Sequence, residues 1–171
     1  DSCLSAGNTA ALSALSYLLL RPHDNINRPA FVAALPNKLN GVVRVMDLGA
    51  SLNCTAEDLY AFARMGNIVL KEIEQIERPK IGVLNIGHED NKGIDLVKDA
   101  AQLIAADSEL NYLGFAEGTD IFHGDFDLII CDGFVGNTML KAVEGVSQLV
   151  TGLMKNQFFR TPLGVLSLPF A

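Results

Sequence analysis

Apolar residues along the chain alternate between short runs and longer stripes at helical spacing. Asn8 and Thr9 precede an apolar run from Ala10 to Leu20, which predicts a buried helix with a polar cap. Arg21 to Pro29 reads as a turn-rich loop. Ala30 to Leu35 and Val42 to Asp47 read as strands, and the short link Pro36 to Gly41 favours a hairpin over a parallel crossover. Thr55 begins the next helix, with Asp58 completing a loose capping box and an apolar stripe through Leu59, Phe62, Ala63, Ile68, Val69, Ile73 and Ile76. After Pro79, Lys80 to Ile86 reads as a strand, Gly87 to Lys92 as a polar loop, and Ile94 to Ala106 as an amphipathic helix. Asn111 to Ala116 and Phe126 to Cys131 complete the strands, the second an almost unbroken apolar run suited to burial on both faces. Asn137 to Lys155 returns to helical spacing. This alternation predicts an α/β fold, a mostly parallel sheet with helices on both faces, mixed by the early hairpin.

Composition narrows the class. The 171 residues carry a formal net charge of −7, with 13 Lys and Arg scattered rather than clustered. Such a surface repels nucleic acid backbones, so no nucleic-acid role is expected. Cys3, Cys54 and Cys131 lack ligand-like spacing, and a sparse odd count points to reduced thiols and a cytoplasmic setting. Cys131 reads as a small core residue. No apolar stretch reaches the roughly 18 residues of a membrane span, and no signal peptide is apparent. Asp1 is not an initiator methionine, and the chain ends within an apolar segment, so it is expected to be a portion of a longer protein.

Candidate chemistry lies in loops of one design, each a polar, glycine-containing segment beside a helix start. They are Ser5–Thr9, Asp47–Ser51, Asn85–Gly93 and Asp132–Asn137. The last three follow predicted strands, and in open α/β sheets such loops share one edge, where ligands bind. Glycine lets backbone N–H groups approach an anion, and a helix start adds positive potential. A single loop of this kind is equally well ordinary turn geometry; four together point to a phosphate-sized anion. Dinucleotide, P-loop and nucleophile-elbow motifs are absent, and His23, His88 and His123 are not spaced as metal ligands. His88 beside Glu89 is weighed as a catalytic histidine against the simpler surface reading, while His23 and His123 read as surface residues. No metal or cofactor is expected.

The same loops resemble those of the bacterial phosphate acyltransferase family, also called the fatty acid/phospholipid synthesis proteins. The family's Ser-Ala-Gly-Asn-Thr-Gly, Asp-x-Gly-Ala-Asn, Asn-x-Gly-x-Glu-x-x-Lys-Gly and Asp-Gly-Phe-x-Gly-Asn segments, the last running into Leu-Lys-x-x-Glu-Gly, correspond here to Ser5–Ala10, Asp47–Ser51, Asn85–Gly93 and Asp132–Gly145. Order and spacing agree from about Asp1 to Lys155, with Ala10 in place of Gly and Ser51 in place of Asn. The resemblance implies a layered α/β/α fold similar to the isocitrate and isopropylmalate dehydrogenases and phosphate acetyltransferases. It implies attack of inorganic phosphate on the thioester of a fatty acyl chain on acyl carrier protein, giving acyl phosphate for phospholipid synthesis. It also implies a homodimer and loose attachment to the inner membrane surface. Residues 1–155 are then the catalytic-domain portion, and residues 156–171 an apolar dimer-contact or membrane-surface segment.

That reaction needs positioning and preorganised donors more than a nucleophile–base pair, because the nucleophile is already anionic and a thiolate leaves readily. The expected phosphate and substrate contacts are Ser5, Gly7, Asn8, Thr9, Asp47, Gly49, Asn85, Gly87, Glu89, Lys92, Gly133 and Asn137, with Asn8, Thr9, Lys92, Asp132 and Asn137 as catalytic candidates. Lys92 offers a positive charge beside phosphate or is a solvated surface lysine, and Glu89 contacts substrate or only pairs with Lys92. Asn85, Asp132 and Asn137 orient substrate or fix neighbouring loops. An acidic carrier protein would need a local basic patch, for which Arg21, Arg28, Arg64 and Lys141 are the candidates. Rival readings are a phosphate acetyl- or butyryltransferase using coenzyme A thioesters, a dehydrogenase of related fold, and a non-catalytic anion-binding module.

Overall fold

The computed structural model describes residues 5–19, 28–51 and 53–160. The elements are α1 (Thr9–Leu19), β1 (Val32–Pro36), β2 (Val42–Met46), α2 (Ala56–Glu72), β3 (Lys80–Leu84), α3 (Asp95–Ala106), β4 (Asn111–Ala116), a 3₁₀ turn (Asp120–Phe122), β5 (Leu128–Ile130) and α4 (Gly133–Arg160). The strands form one sheet in the order β1-β2-β5-β3-β4. β1 pairs antiparallel with β2 through the expected hairpin, and β2, β5, β3 and β4 run parallel.

Local chemistry sets the boundaries. Thr55 and Asp58 form a reciprocal capping box at the start of α2, each side chain accepting the other's backbone N–H. The apolar stripe does not carry α2 to Ile76. The helix stops at Glu72, Gln75 takes a left-handed φ of 58°, and the Ile76 N–H reaches back 3.1 Å to the Leu70 carbonyl. β5 is shorter than its apolar run, although Asp127 and Cys131 at its ends still donate their N–H groups to Lys80 O and Met46 O of the neighbouring strands.

One face of the sheet is packed by α2 and α3. Met46, Ile81, Val83, Leu128 and Ile130 meet Leu59, Phe62, Ala63 and Leu70 of α2 and Val97, Ala100 and Ile104 of α3 in a single core. The opposite face is crossed by the segment between β4 and β5, where Ile121 is fully buried and the Phe126 ring lies over Gly82. Handedness requires this arrangement. The β2-to-β3 and β3-to-β4 connections advance in one direction across the sheet and place their helices on one face. The β4-to-β5 connection steps back, so a right-handed crossover must use the other face.

The parallel strands end on a common edge. β2 runs into Asp47–Ser51, β5 into Asp132, β3 into Asn85–Gly93 and β4 into Glu117–Asp120. Residues Asp1–Asn137 make one unit and Thr138–Ala171, containing most of α4, another. α4 starts at Gly133, four residues before the position its periodicity predicted, and continues through residue 155 without a break. Within the second unit Val146, Leu149, Val150, Leu153 and Met154 form an exposed apolar stripe at helical spacing. Residues 161–171 lie outside the described residues.

Candidate active site

Three of the four glycine loops are brought together by strand order, since β2, β5 and β3 are neighbours and each loop leaves the same edge. In the β2 and β5 loops, however, backbone donors are already engaged. Asp47 is completely buried. Its Oδ1 accepts from the N–H groups of Phe31, Gly49 and Ala50 at 3.0, 3.2 and 3.0 Å, and its Oδ2 from Ser51 N at 2.8 Å. The carboxylate thus occupies the N–H nest that the sequence assigned to a bound anion. Asp47 organises its own loop, and Gly49 at φ 119° supplies the left-handed turn this requires.

The Asp132–Asn137 segment is the first turn of α4 rather than a free loop. Asp132 Oδ1 accepts from Phe134 N and Val135 N at 2.9 and 3.0 Å, so its side chain caps the helix. Gly133 donates its N–H to Ser51 O at 3.0 Å. A Cβ on Gly133 would collide with the Ser51 carbonyl, and one on Gly136 with the Asp47 carbonyl. These glycines let the start of α4 rest directly on the β2 loop, backbone to backbone. Asn137 packs against Gly49 from the same turn, its Cβ 3.3 Å from where a Gly49 side chain would begin. Buried Cys131 seals the junction by donating its thiol to Asp47 O at 3.2 Å, and burial pushes that thiol far above the ordinary range.

In the third loop Asn85 bridges the two ends of its own turn. Its Oδ1 accepts from Ile86 N at 2.9 Å, and its Nδ2 donates to Lys92 O at 3.1 Å. Gly93, at φ 88°, has no room for a side chain against that amide. The Lys92 stem folds over Gly87, and Nζ pairs with Glu89 Oε1 at 2.9 Å. The hydrogen bond between them holds Glu89 below and Lys92 above their usual ranges. Both side chains are about half exposed, so the pair is a weak one.

The Ser5–Thr9 segment leads into α1, whose first residue is Thr9. Ser5 Oγ accepts from Gly7 N at 3.1 Å and Asn8 Oδ1 from Ala11 N at 3.1 Å, the latter an N-cap contact. Both of these contacts stay within the segment itself. The candidate basic patch is largely neutralised. Arg28 lies 3.7 Å from Asp58, Arg64 3.9 Å from Glu109 and Lys141 2.8 Å from Glu144, while Arg21 lies outside the described residues.

Sequence reasoning gave Gly136 no role of its own and did not find the contact between the β3 and β4 loops. His88 Nδ1 lies 3.0 Å from the Phe115 carbonyl, and its Nε2 lies 3.3 Å from Asp120, which also meets His123 at 3.3 Å. His23 lies outside the described residues. No group of three or more His, Cys, Asp or Glu suited to a metal ion occurs among the described residues.

A family model described as fatty acid synthesis protein matches residues 1–168. The chain belongs to this family. A phosphate acyltransferase from Bordetella parapertussis is 44% identical, with 100% of this chain and 48% of that protein covered. One from Legionella pneumophila is 46% identical, with 99% and 50% covered. The chain therefore spans about half the length of the curated relatives it matches. A branched-chain phosphotransacylase from Enterococcus faecalis V583 superposes with a TM-score of 0.57 at 16% identity, covering 82% of this chain and 56% of that one. This likeness shows the layered α/β fold expected from the alternating pattern.

Proposed function

We propose that the complete protein transfers a fatty acyl group from the thioester of acyl carrier protein to inorganic phosphate, and that this chain supplies part of the site. The observation that carries the reading is the convergence of the β2, β5 and β3 loops on one sheet edge, in a chain whose relatives are named phosphate acyltransferases. Because Asp47 and Asp132 hold N–H groups of the β2 loop and of the start of α4, side chains provide the phosphate contacts. Lys92 exchanges Glu89 for a phosphate oxygen, and the Asn137 amide orients the anion beside Gly49. Ser5, Gly7, Asn8 and Thr9 approach the reacting carbonyl from the entry to α1. A phosphate oxygen attacks the carbonyl carbon, the C–O bond forms as the C–S bond breaks, and the thiolate leaves and takes a proton from solvent. Positioning and charge compensation supply the rate enhancement.

The exposed stripe from Val146 to Met154 supports pairing with a second copy and contact with a membrane surface. No helix among the described residues is long and apolar enough to cross a membrane. Incubating the complete enzyme with phosphate and either acyl carrier protein or coenzyme A thioesters, and trapping product with hydroxylamine, tests the reading. Hydroxamate from the carrier-protein thioester is expected to rise with added phosphate, above the amount the thioester gives with hydroxylamine directly. Product from the coenzyme A thioester alone would favour the acetyl- or butyryltransferase alternative.

A further inference from the structure

Both ring nitrogens of His88 face oxygen acceptors. Nδ1 lies 3.0 Å from the carbonyl of Phe115, at the carboxyl end of β4. Nε2 lies 3.3 Å from Asp120 Oδ2 and 3.9 Å from Glu117 Oε1. A neutral imidazole carries one N–H and leaves one of these contacts unmade, whereas the doubly protonated ring makes both. Asp120 is itself held in place, its Oδ2 accepting from Glu117 N at 2.7 Å and its Oδ1 lying 3.3 Å from His123 Nδ1. The other end of the connection is equally constrained. Within His88's own turn, Lys92 N donates to Glu89 O at 3.0 Å, and the Asn85 amide ties Lys92 O to the end of β3.

We propose that His88 in its cationic form is a positioning residue, pinning the turn that carries Lys92 to the carboxyl end of β4, so that phosphate affinity falls when His88 loses its proton. The consequence for affinity rests on the phosphate reading above; the pinning itself does not. The charged groups around the ring are Glu89 on its own turn, already paired with Lys92, and Glu117, Asp120 and His123 on the segment after β4. The Phe115 carbonyl, then Asp120, Glu117 and Glu89, raise the His88 titration above the ordinary histidine range. With a raised folded-state value, the contact is complete below the unfolded histidine value and is lost as pH climbs through the folded one.

Amide exchange decides the pinning without any turnover. Protection of peptides covering residues 85–93 is measured in the complete enzyme from pH 5.5 to 8.5, corrected for intrinsic exchange, for the wild type, His88→Gln and His88→Lys. The wild type should lose about two- to fivefold protection across this range, the size expected of exposed charge contacts, while both variants stay flat, His88→Lys the more protected of the two. Equal pH dependence in the wild type and His88→Gln would overturn the proposal. Phosphate KM adds the functional arm. The ratio of His88→Gln to wild type cancels the ionisation of phosphate itself, and it should fall from about two- to fivefold near pH 6 to unity near pH 8.5, with kcat unchanged. A flat ratio would overturn the link to phosphate. Failure of the wild type to form acyl phosphate would count against the catalytic reading alone, with the exchange result still deciding the pinning.

Discussion

Replacing Asp47 with Asn tests whether one buried carboxylate builds the β2 loop. The native side chain accepts four backbone N–H groups, three on Oδ1 and one on Oδ2. In its least damaging orientation the new amide nitrogen replaces Oδ2, so the Ser51 N–H, at 2.8 Å, would point at another donor. Stranding that buried donor costs about 1–3 kcal/mol, and exchanging a charged for a neutral acceptor weakens the other three bonds. The total is about 3 kcal/mol or more. For a chain of this length that lowers Tm by about 6–12 °C, followed by circular dichroism or by urea unfolding with an unchanged m-value. Asp47→Ala, which strands all four donors, should be worse. A Tm within about 2 °C of the wild type for Asp47→Asn would refute the claim that this carboxylate holds the loop together.

Gly136→Ala should destabilise by about 1–2 kcal/mol, the collision with the Asp47 carbonyl outweighing the helix propensity gained, and should abolish acyl phosphate formation. Gly145→Ala and Gly152→Ala, where an added methyl meets nothing within 4 Å, should instead stabilise by up to about 1 kcal/mol in the same unfolding assay. Lys92→Ala in the complete enzyme should raise the phosphate KM about five- to tenfold, discounted for exposure, while the thioester KM stays unchanged; an unaltered phosphate KM removes Lys92 from the site. Cys131, buried with its thiol pushed up, should resist maleimide until the protein unfolds, and labelling of the native state at the rate of a free thiol would contradict its place at the β2–α4 junction.

Much of the architecture was legible because it rests on periodicity and turn chemistry. The Pro36–Gly41 link announced the hairpin, and Thr55 with Asp58 announced the start of α2. The end of α2 was less visible, being set by the left-handed Gln75 and the Ile76-to-Leu70 backbone bond rather than by where apolar residues stop. At the candidate site the glycines were read as places where an anion comes close to the backbone, and the structure shows a close approach within the chain itself. Gly133 and Gly136 admit the backbone of the β2 loop, and the N–H groups of Gly49 to Ser51 serve Asp47. An acid opening a glycine turn is itself a sequence signal for such an internally satisfied loop. The His88–Asp120 contact joins residues 32 positions apart through strand order alone, which no local pattern in the chain records.

A crystal structure of the complete enzyme with saturating phosphate tests the central claim most directly. The account predicts one phosphate at the shared edge of β2, β5 and β3, contacted by Lys92 and the Asn137 amide, with Glu89 turned away and the Asp47 contacts intact. Phosphate bound elsewhere while the 2.9 Å Lys92–Glu89 pair persists would contradict it.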